Sequence, residues 1–221
     1  MTSLTALGLA AALSAVAAIA CEVIAERRGR RPAAFLLFKP LTTVLIAATL
    51  FVGQSPDLLL IAAFALALGG DIALMFDGEP AFLAGLGSFF VAHLALVAVF
   101  VHGLPAAELL AALPLWSLGF VVYAVALFTW LLPKTGDLRW PVVAYGAVLT
   151  GMVLTSAAAQ AALDTPATQL TLAGALLFAF SDSVLAIRQF VGPYRAAQPL
   201  ILSSYWLAIG LIAAAHWPIV F

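Results

Sequence analysis

Apolar positions along this chain come in long unbroken runs rather than in stripes. Charge-free stretches run from Thr2 to Cys21, Pro40 to Pro56, Leu58 to Gly70, Pro80 to Ala107, Leu109 to Pro133, Trp140 to Leu163, Thr165 to Ser181 and Ala196 to Phe221. Turn signals fall between them: Gly53-Gln54-Ser55-Pro56, Asp77-Gly78-Glu79-Pro80, Gly103-Leu104-Pro105, Pro133-Lys134-Thr135-Gly136-Asp137, Asp164-Thr165-Pro166 and Gly192-Pro193. Runs of Ala, Leu and Val of this length predict helices, because lipid offers no water to satisfy an open strand edge. The alternating ten-residue segments of a membrane barrel do not occur. The pattern predicts eight helical spans, at 4–25, 34–52, 57–76, 81–102, 112–132, 140–160, 167–190 and 198–218.

Composition agrees with that reading. Of 221 residues, 65% are apolar and 9% charged, against roughly a quarter charged in a soluble domain, and the mean hydropathy is +1.17. A soluble globular protein and a disordered chain are excluded. With nine basic and ten acidic residues, net −1, the chain has no electrostatic footprint for nucleic acid. The expected fold is an all-α, polytopic membrane bundle of eight transmembrane helices, forming a single domain over 1–221.

The basic residues set an expected orientation. Arg27, Arg28, Arg30 and Arg31 lie in the first loop, Lys134 and Arg139 in the fifth, and Arg188 and Arg195 flank the seventh. Loops two, four and six carry no Lys or Arg. Odd loops are therefore expected on the cytoplasmic side of the cell (inner) membrane, with both termini on the non-cytoplasmic side. A seven-helix count would scatter these charges over both faces. The lone cysteine, Cys21, excludes an intrachain disulfide. Ala18-Ile19-Ala20-Cys21 is similar to a lipoprotein cleavage site, but no basic residue precedes its apolar run, so the segment is read as a retained first helix.

Charges near the bilayer centre are costly, so the exceptions are informative. Lys39, Asp71 and Asp182 lie clearly within spans, and His93 is a fourth polar group. At 1.5 Å rise per residue, Lys39 and Asp71 lie about 8 Å, and Asp182 about 12 Å, from the cytoplasmic helix ends. Tyr145 and Tyr205 come out at about 8 and 11 Å, and His93 deeper, at about 18 Å. Helices distant in sequence thus place polar groups at one depth, as a single site open to the inner leaflet would require.

Simpler readings exist for each. Lys39 could snorkel to the headgroups. Asp71 and Asp182 could pair with Lys39 or cap a broken helix. His93 could be a packed, hydrogen-bonded histidine. His102 and His216 are expected near the outer face, out of reach, so no three-histidine zinc site is expected. Ser181 and Ser183 flank Asp182, but a serine nucleophile needs a nearby base, and the one deep histidine is on another helix. Gly69-Gly70 would permit close helix packing. Pro40 removes the helical donor to the Leu36 carbonyl, which would leave backbone available to a polar group.

These residues carry a resemblance. Phe38-Lys39-Pro40-Leu41, then Gly70-Asp71-Ile72-Ala73-Leu74-Met75, then Phe82-x-x-Gly85-x-x-x-Phe89-x-x-x-His93, then Gly174-Ala175-Leu176-Leu177-Phe178 running into Ser181-Asp182-Ser183, resembles the YhhN family of lysoplasmalogenases. Tyr145 with Met152 and Tyr205-Trp206 fit the same layout. Leu96 stands where the family favours an aromatic, and Ile209 where it favours glutamine. The resemblance implies an eight-helix membrane hydrolase, with no metal or organic cofactor, that cleaves the vinyl ether bond of lysoplasmalogens. The products would be a fatty aldehyde and glycerophosphoethanolamine or glycerophosphocholine.

The residues suit that chemistry. A vinyl ether is protonated on its β-carbon to an oxocarbenium ion, which water then captures. The reaction needs an acid, a counter-charge and a base, which two carboxyls supply in glycosidases. Asp71 and Asp182 are the expected acid–base pair, with the choice of acid open. Lys39 is the expected electrostatic partner of one of them or of the substrate phosphate. His93, Tyr145, Ser181, Ser183 and Tyr205 are expected substrate or supporting contacts. The partner would be a lysophospholipid drawn from the inner leaflet. Membrane Asp and Lys sets also mark proton-coupled transporters, which usually carry internal repeats; none is evident here. A non-catalytic lipid-binding membrane protein is the third reading.

Overall fold

A computed structural model describes residues 3–53 and 55–217, and turn and capping residues divide these described residues into nine α-helices. They are α1 (Ser3–Arg28), α2 (Phe35–Ala48), α3 (Leu58–Ala73), α4 (Glu79–Phe100), α5 (Ala106–Ala112), α6 (Ser117–Leu131), α7 (Arg139–Leu163), α8 (Pro166–Phe190) and α9 (Ala197–Ala214). No strand occurs among the described residues. Asp57 caps α3 by accepting the Leu59 N–H at 2.6 Å. Thr165 and Thr168 form a reciprocal capping box that starts α8 with Pro166 in its first turn. Gln54 of the second turn and Pro218, the last residue of the eighth expected span, lie outside the described residues.

Eight of the nine helices coincide with the eight expected spans, and the ninth is new. Among the described residues six helical segments are long and apolar enough to cross a membrane, α6 with its continuation to Lys134 and α7 with its start at Gly136 among them; the segments 35–51 and 58–73 are apolar but shorter. The fifth expected span, 112–132, is corrected at its start: α6 alone occupies it, and the new helix α5 ends at Ala112, before a break at Pro114. A proline pushes the preceding residue out of the helical region, and Leu113 is extended, with φ −54° and ψ 114°. Cys21 is buried inside the continuous α1.

The helices close into a ring. α1 packs on α2, α2 on α3, α3 on α4, α4 on α7, α7 on α8, α8 on α9, and α9 returns to α1 and α2. Helix α6 packs on α7 from outside that ring. The surface is apolar: Leu13, Leu58, Leu115, Val122 and Trp140 are all more than 60% exposed. The interior holds Ser14, Glu22, Lys39, Thr42, Thr43, Asp71 and His93. Apolar outside and polar inside is the arrangement of a protein bathed in lipid.

Small residues set the close approaches. A Cβ on Gly174 of α8 would stand 2.8 Å from the Ala208 carbonyl oxygen of α9, a backbone atom that cannot turn aside. Gly174→Val is expected to cost roughly 1–3 kcal/mol through overpacking, read as a lower thermal midpoint in detergent. Gly151→Ala, where a Cβ meets nothing within 4 Å, is expected to leave that midpoint unchanged or higher.

Candidate functional site

Lys39 lies in the first half of α2 and Thr43 one turn later, so both point from one helix face. That face meets the last turn of α3, where Asp71 is buried. The Lys39 ammonium donates to the Asp71 carbonyl at 2.9 Å and lies 3.6 Å from Asp71 Oδ1. Asp71 Oδ2 accepts from Thr43 at 2.6 Å and from Tyr205 of α9 at 2.8 Å. Trp206 donates its indole N–H to Thr43 Oγ1 at 3.2 Å. Lys39 therefore does not snorkel; it pairs with Asp71, a pairing the sequence left open. The missing side chain of Gly70 makes room beside Asp71, since a Cβ there would sit 2.5 Å from the Phe89 ring.

Asp182 forms a second centre. It lies on α8, and Tyr145 of α7 donates a hydrogen bond to its Oδ2. An aromatic chain joins the two centres. The Tyr205 ring stands edge-on to Phe178 at 5.3 Å, Phe178 to His93 at 4.5 Å, and His93 to Tyr145 at 5.4 Å. Both ring nitrogens of His93 are buried with no hydrogen-bond partner, so it is packed but not hydrogen-bonded as its simpler reading supposed. Ser181 donates to the Ile201 carbonyl at 3.0 Å. Ser183 donates to the Ala179 carbonyl at 2.7 Å and accepts from Tyr123 at 2.7 Å. Neither hydroxyl has a basic partner that would make it a nucleophile.

Two chambers meet at this site. The polar one is lined by Lys39, Asp71, Ser181, Asp182 and Tyr205 at its base, and by Arg31, Asp77, Glu79, Arg188 and Gln198 at its mouth. The mouth residues come from the α1–α2 and α3–α4 connections and the facing ends of α8 and α9, so it opens at one end of the bundle. The second chamber is apolar. Its walls include Phe82 and Leu86 of α4, Phe120 and Leu127 of α6, Leu149 of α7 and Ala186 of α8. Asp182 lines both chambers. Tyr145 and Ser183 face the apolar one, and His93 packs behind Tyr145 without lining either.

Several site residues escaped the sequence reading. Thr43 had a usable signal, its i+4 spacing from Lys39. The Glu22–Arg31 pair, with Arg31 Nε 2.7 Å from the buried Glu22 carboxylate, had none, because the partners sit on either side of a turn. Polar groups do come to the backbone around Pro40, but to the carbonyl of Phe38, which accepts from Ser14 at 3.1 Å and Thr42 at 2.8 Å. Among the described residues no three His, Cys, Asp or Glu side chains gather as a metal site would need. His216 bonds the Ile212 carbonyl at the far end of α9.

No curated protein and no solved structure matches the chain. The profile of the YhhN family matches residues 34–216, a stretch that holds both carboxyl centres, the apolar chamber, all of the polar chamber's lining but Arg31, and every helix but α1. The chain therefore belongs to the YhhN family.

Proposed function

We propose that this protein is a lysoplasmalogenase: a membrane hydrolase that cleaves the vinyl ether bond of lysoplasmalogens to a fatty aldehyde and a glycerophospho-alcohol. The observation that carries this reading is the position of Asp182 at the meeting of a polar and an apolar chamber. A lysoplasmalogen is an amphiphile whose scissile bond lies where headgroup and tail join. Its glycerophospho end suits the chamber of Arg31, Arg188 and Lys39. Its tail suits the chamber of Phe82, Leu86 and Phe120. The vinyl ether then falls between Asp182 and Asp71.

The chemistry follows from that placement. A carboxylic acid at the junction gives its proton to the β-carbon of the vinyl ether, and the double-bond electrons form the new C–H bond. The α-carbon and ether oxygen share the positive charge. A carboxylate beside them stabilises that cation electrostatically, in a site from which bulk water is largely excluded. Water adds to the α-carbon and its proton returns to the donor carboxylate. The hemiacetal collapses, its hydroxyl proton passing to the leaving glycerol oxygen. One water is consumed, and no redox change occurs.

The proposal extends to the membrane. Eight helices cross it, both termini lie on the non-cytoplasmic side of the cell (inner) membrane, and the substrate comes from the inner leaflet. The basic residues of the odd loops support this orientation, as does the opening of the polar chamber at the end of the bundle where those loops gather. Purified protein is expected to release aldehyde from a 1-alkenyl lysophospholipid and none from its 1-acyl counterpart, because an ester has no carbon to protonate. Equal hydrolysis of the two would replace this reading with an esterase.

A further inference from the structure

We infer that Asp182 is the proton donor of the site, and that Thr43, fixed by Trp206, is a positioning residue that keeps Asp71 a carboxylate. The chemical role rests on the hydrolase reading; the protonation pattern does not.

An ionised carboxyl only accepts hydrogen bonds, whereas a neutral one must also place a proton. Three donors converge on Asp71. Thr43 and Tyr205 meet Oδ2 at 2.6 and 2.8 Å, and the Lys39 ammonium faces Oδ1 at 3.6 Å. The direction of the Thr43 bond is set from behind. An indole N–H can only donate, so Thr43 Oγ1 accepts from Trp206, which leaves its own proton for Asp71. Asp71 is thus held ionised, with two donors on Oδ2 and a cation facing Oδ1. It is a counter-charge, not an acid.

Asp182 has the opposite surroundings. It accepts one hydrogen bond, from Tyr145 on Oδ2. Among the described residues no cation pairs with it, and its Oδ1 accepts no hydrogen bond. An unpaired carboxylate within a hydrocarbon bundle is costly, and a neutral acid much less so. The carboxyl lies at the junction of the two chambers. A proton on Oδ1 is therefore placed where a vinyl ether would sit.

Infrared spectroscopy of the purified full-length protein tests this, because a protonated carboxyl has its own carbonyl stretch, separate from that of a carboxylate. The wild type is expected to show such a band, lost in Asp182→Asn and kept in Asp71→Asn. Thr43→Val is expected to gain a second band as Asp71 takes up a proton, and Thr43→Ser to match the wild type. Aldehyde release should fall roughly 10–100-fold in Thr43→Val, as loss of a hydrogen bond to a charged group does, and recover in Thr43→Ser. A band lost in Asp71→Asn but kept in Asp182→Asn would overturn the assignment, as would an unchanged spectrum in Thr43→Val. Should Asp71→Asn fail to fold, Asp182→Asn and the Thr43 pair still decide. The expected bands without aldehyde release from the wild type would sink the hydrolase reading and leave the proton assignment standing.

Discussion

Asp182→Asn is expected to lower the rate of aldehyde release by roughly 10²–10⁴-fold, the usual contribution of a positioned general acid. The substitution is nearly isosteric. An asparagine oxygen can still accept the Tyr145 hydrogen bond, so helices α7 and α8 keep their contact and the fold should survive. What is lost is the carboxyl proton at the chamber junction. The loss should fall on kcat with KM little changed, because headgroup and tail contacts remain. Retained helicity and an unchanged elution volume would show that the variant is folded. A folded variant with near-wild-type turnover would remove Asp182 from the chemistry.

The second large effect is on stability. Lys39→Met leaves Asp71 buried beside a thioether, still accepting from Thr43 and Tyr205 but without its cation. Removing one member of a buried pair costs about 3–5 kcal/mol, because the other charge remains uncompensated. The thermal midpoint of the detergent-solubilised protein should fall accordingly. Adding Asp71→Asn to Lys39→Met should recover part of the loss, since the neutral amide needs no counter-charge while its oxygen can still accept from Thr43. With the Asp71→Asn single variant, these midpoints close a cycle that measures the coupling of the pair. If Lys39→Met were as stable as the wild type, Lys39 would not be holding Asp71.

Much of this architecture was legible in the sequence, for reasons specific to lipid. A bilayer forces backbone polar groups to be satisfied within each segment, so the apolar runs and the turns at Gly78, Gly136 and Pro166 map closely onto helix boundaries. The same solvent made Lys39, Asp71 and Asp182 conspicuous. The failures are local. A long charge-free stretch hides a break, and only the backbone restriction before Pro114 reveals that α5 and α6 are separate. The pairing of Lys39 with Asp71 rather than Asp182 depends on which helices are neighbours. α2 packs against α3 and α9, while Asp182 sits on α8, and run lengths contain no such information. Trp206 is at home in any apolar helix and acquires its meaning from Thr43, which stands between it and the Asp71 carboxylate.

The division of the interior into two chambers was not legible at all. It arises because α6 stands outside the ring yet walls the apolar chamber with Phe120 and Leu127. A short tie, Tyr123 to Ser183 at 2.7 Å, holds it to α8. The residues that line this chamber are spread over four helices and the α3–α4 connection, and each alone reads as ordinary lipid-facing or core side chain.

The central claim is that two buried carboxyls of different character hydrolyse a vinyl ether at the junction of the chambers. It is tested most directly by assaying aldehyde release from a 1-alkenyl lysophospholipid by the purified wild type and by folded Asp71→Asn and Asp182→Asn variants. The account predicts steady release by the wild type and near-complete loss in both variants. Near-wild-type release by both variants, or no release by a folded wild type, would contradict it.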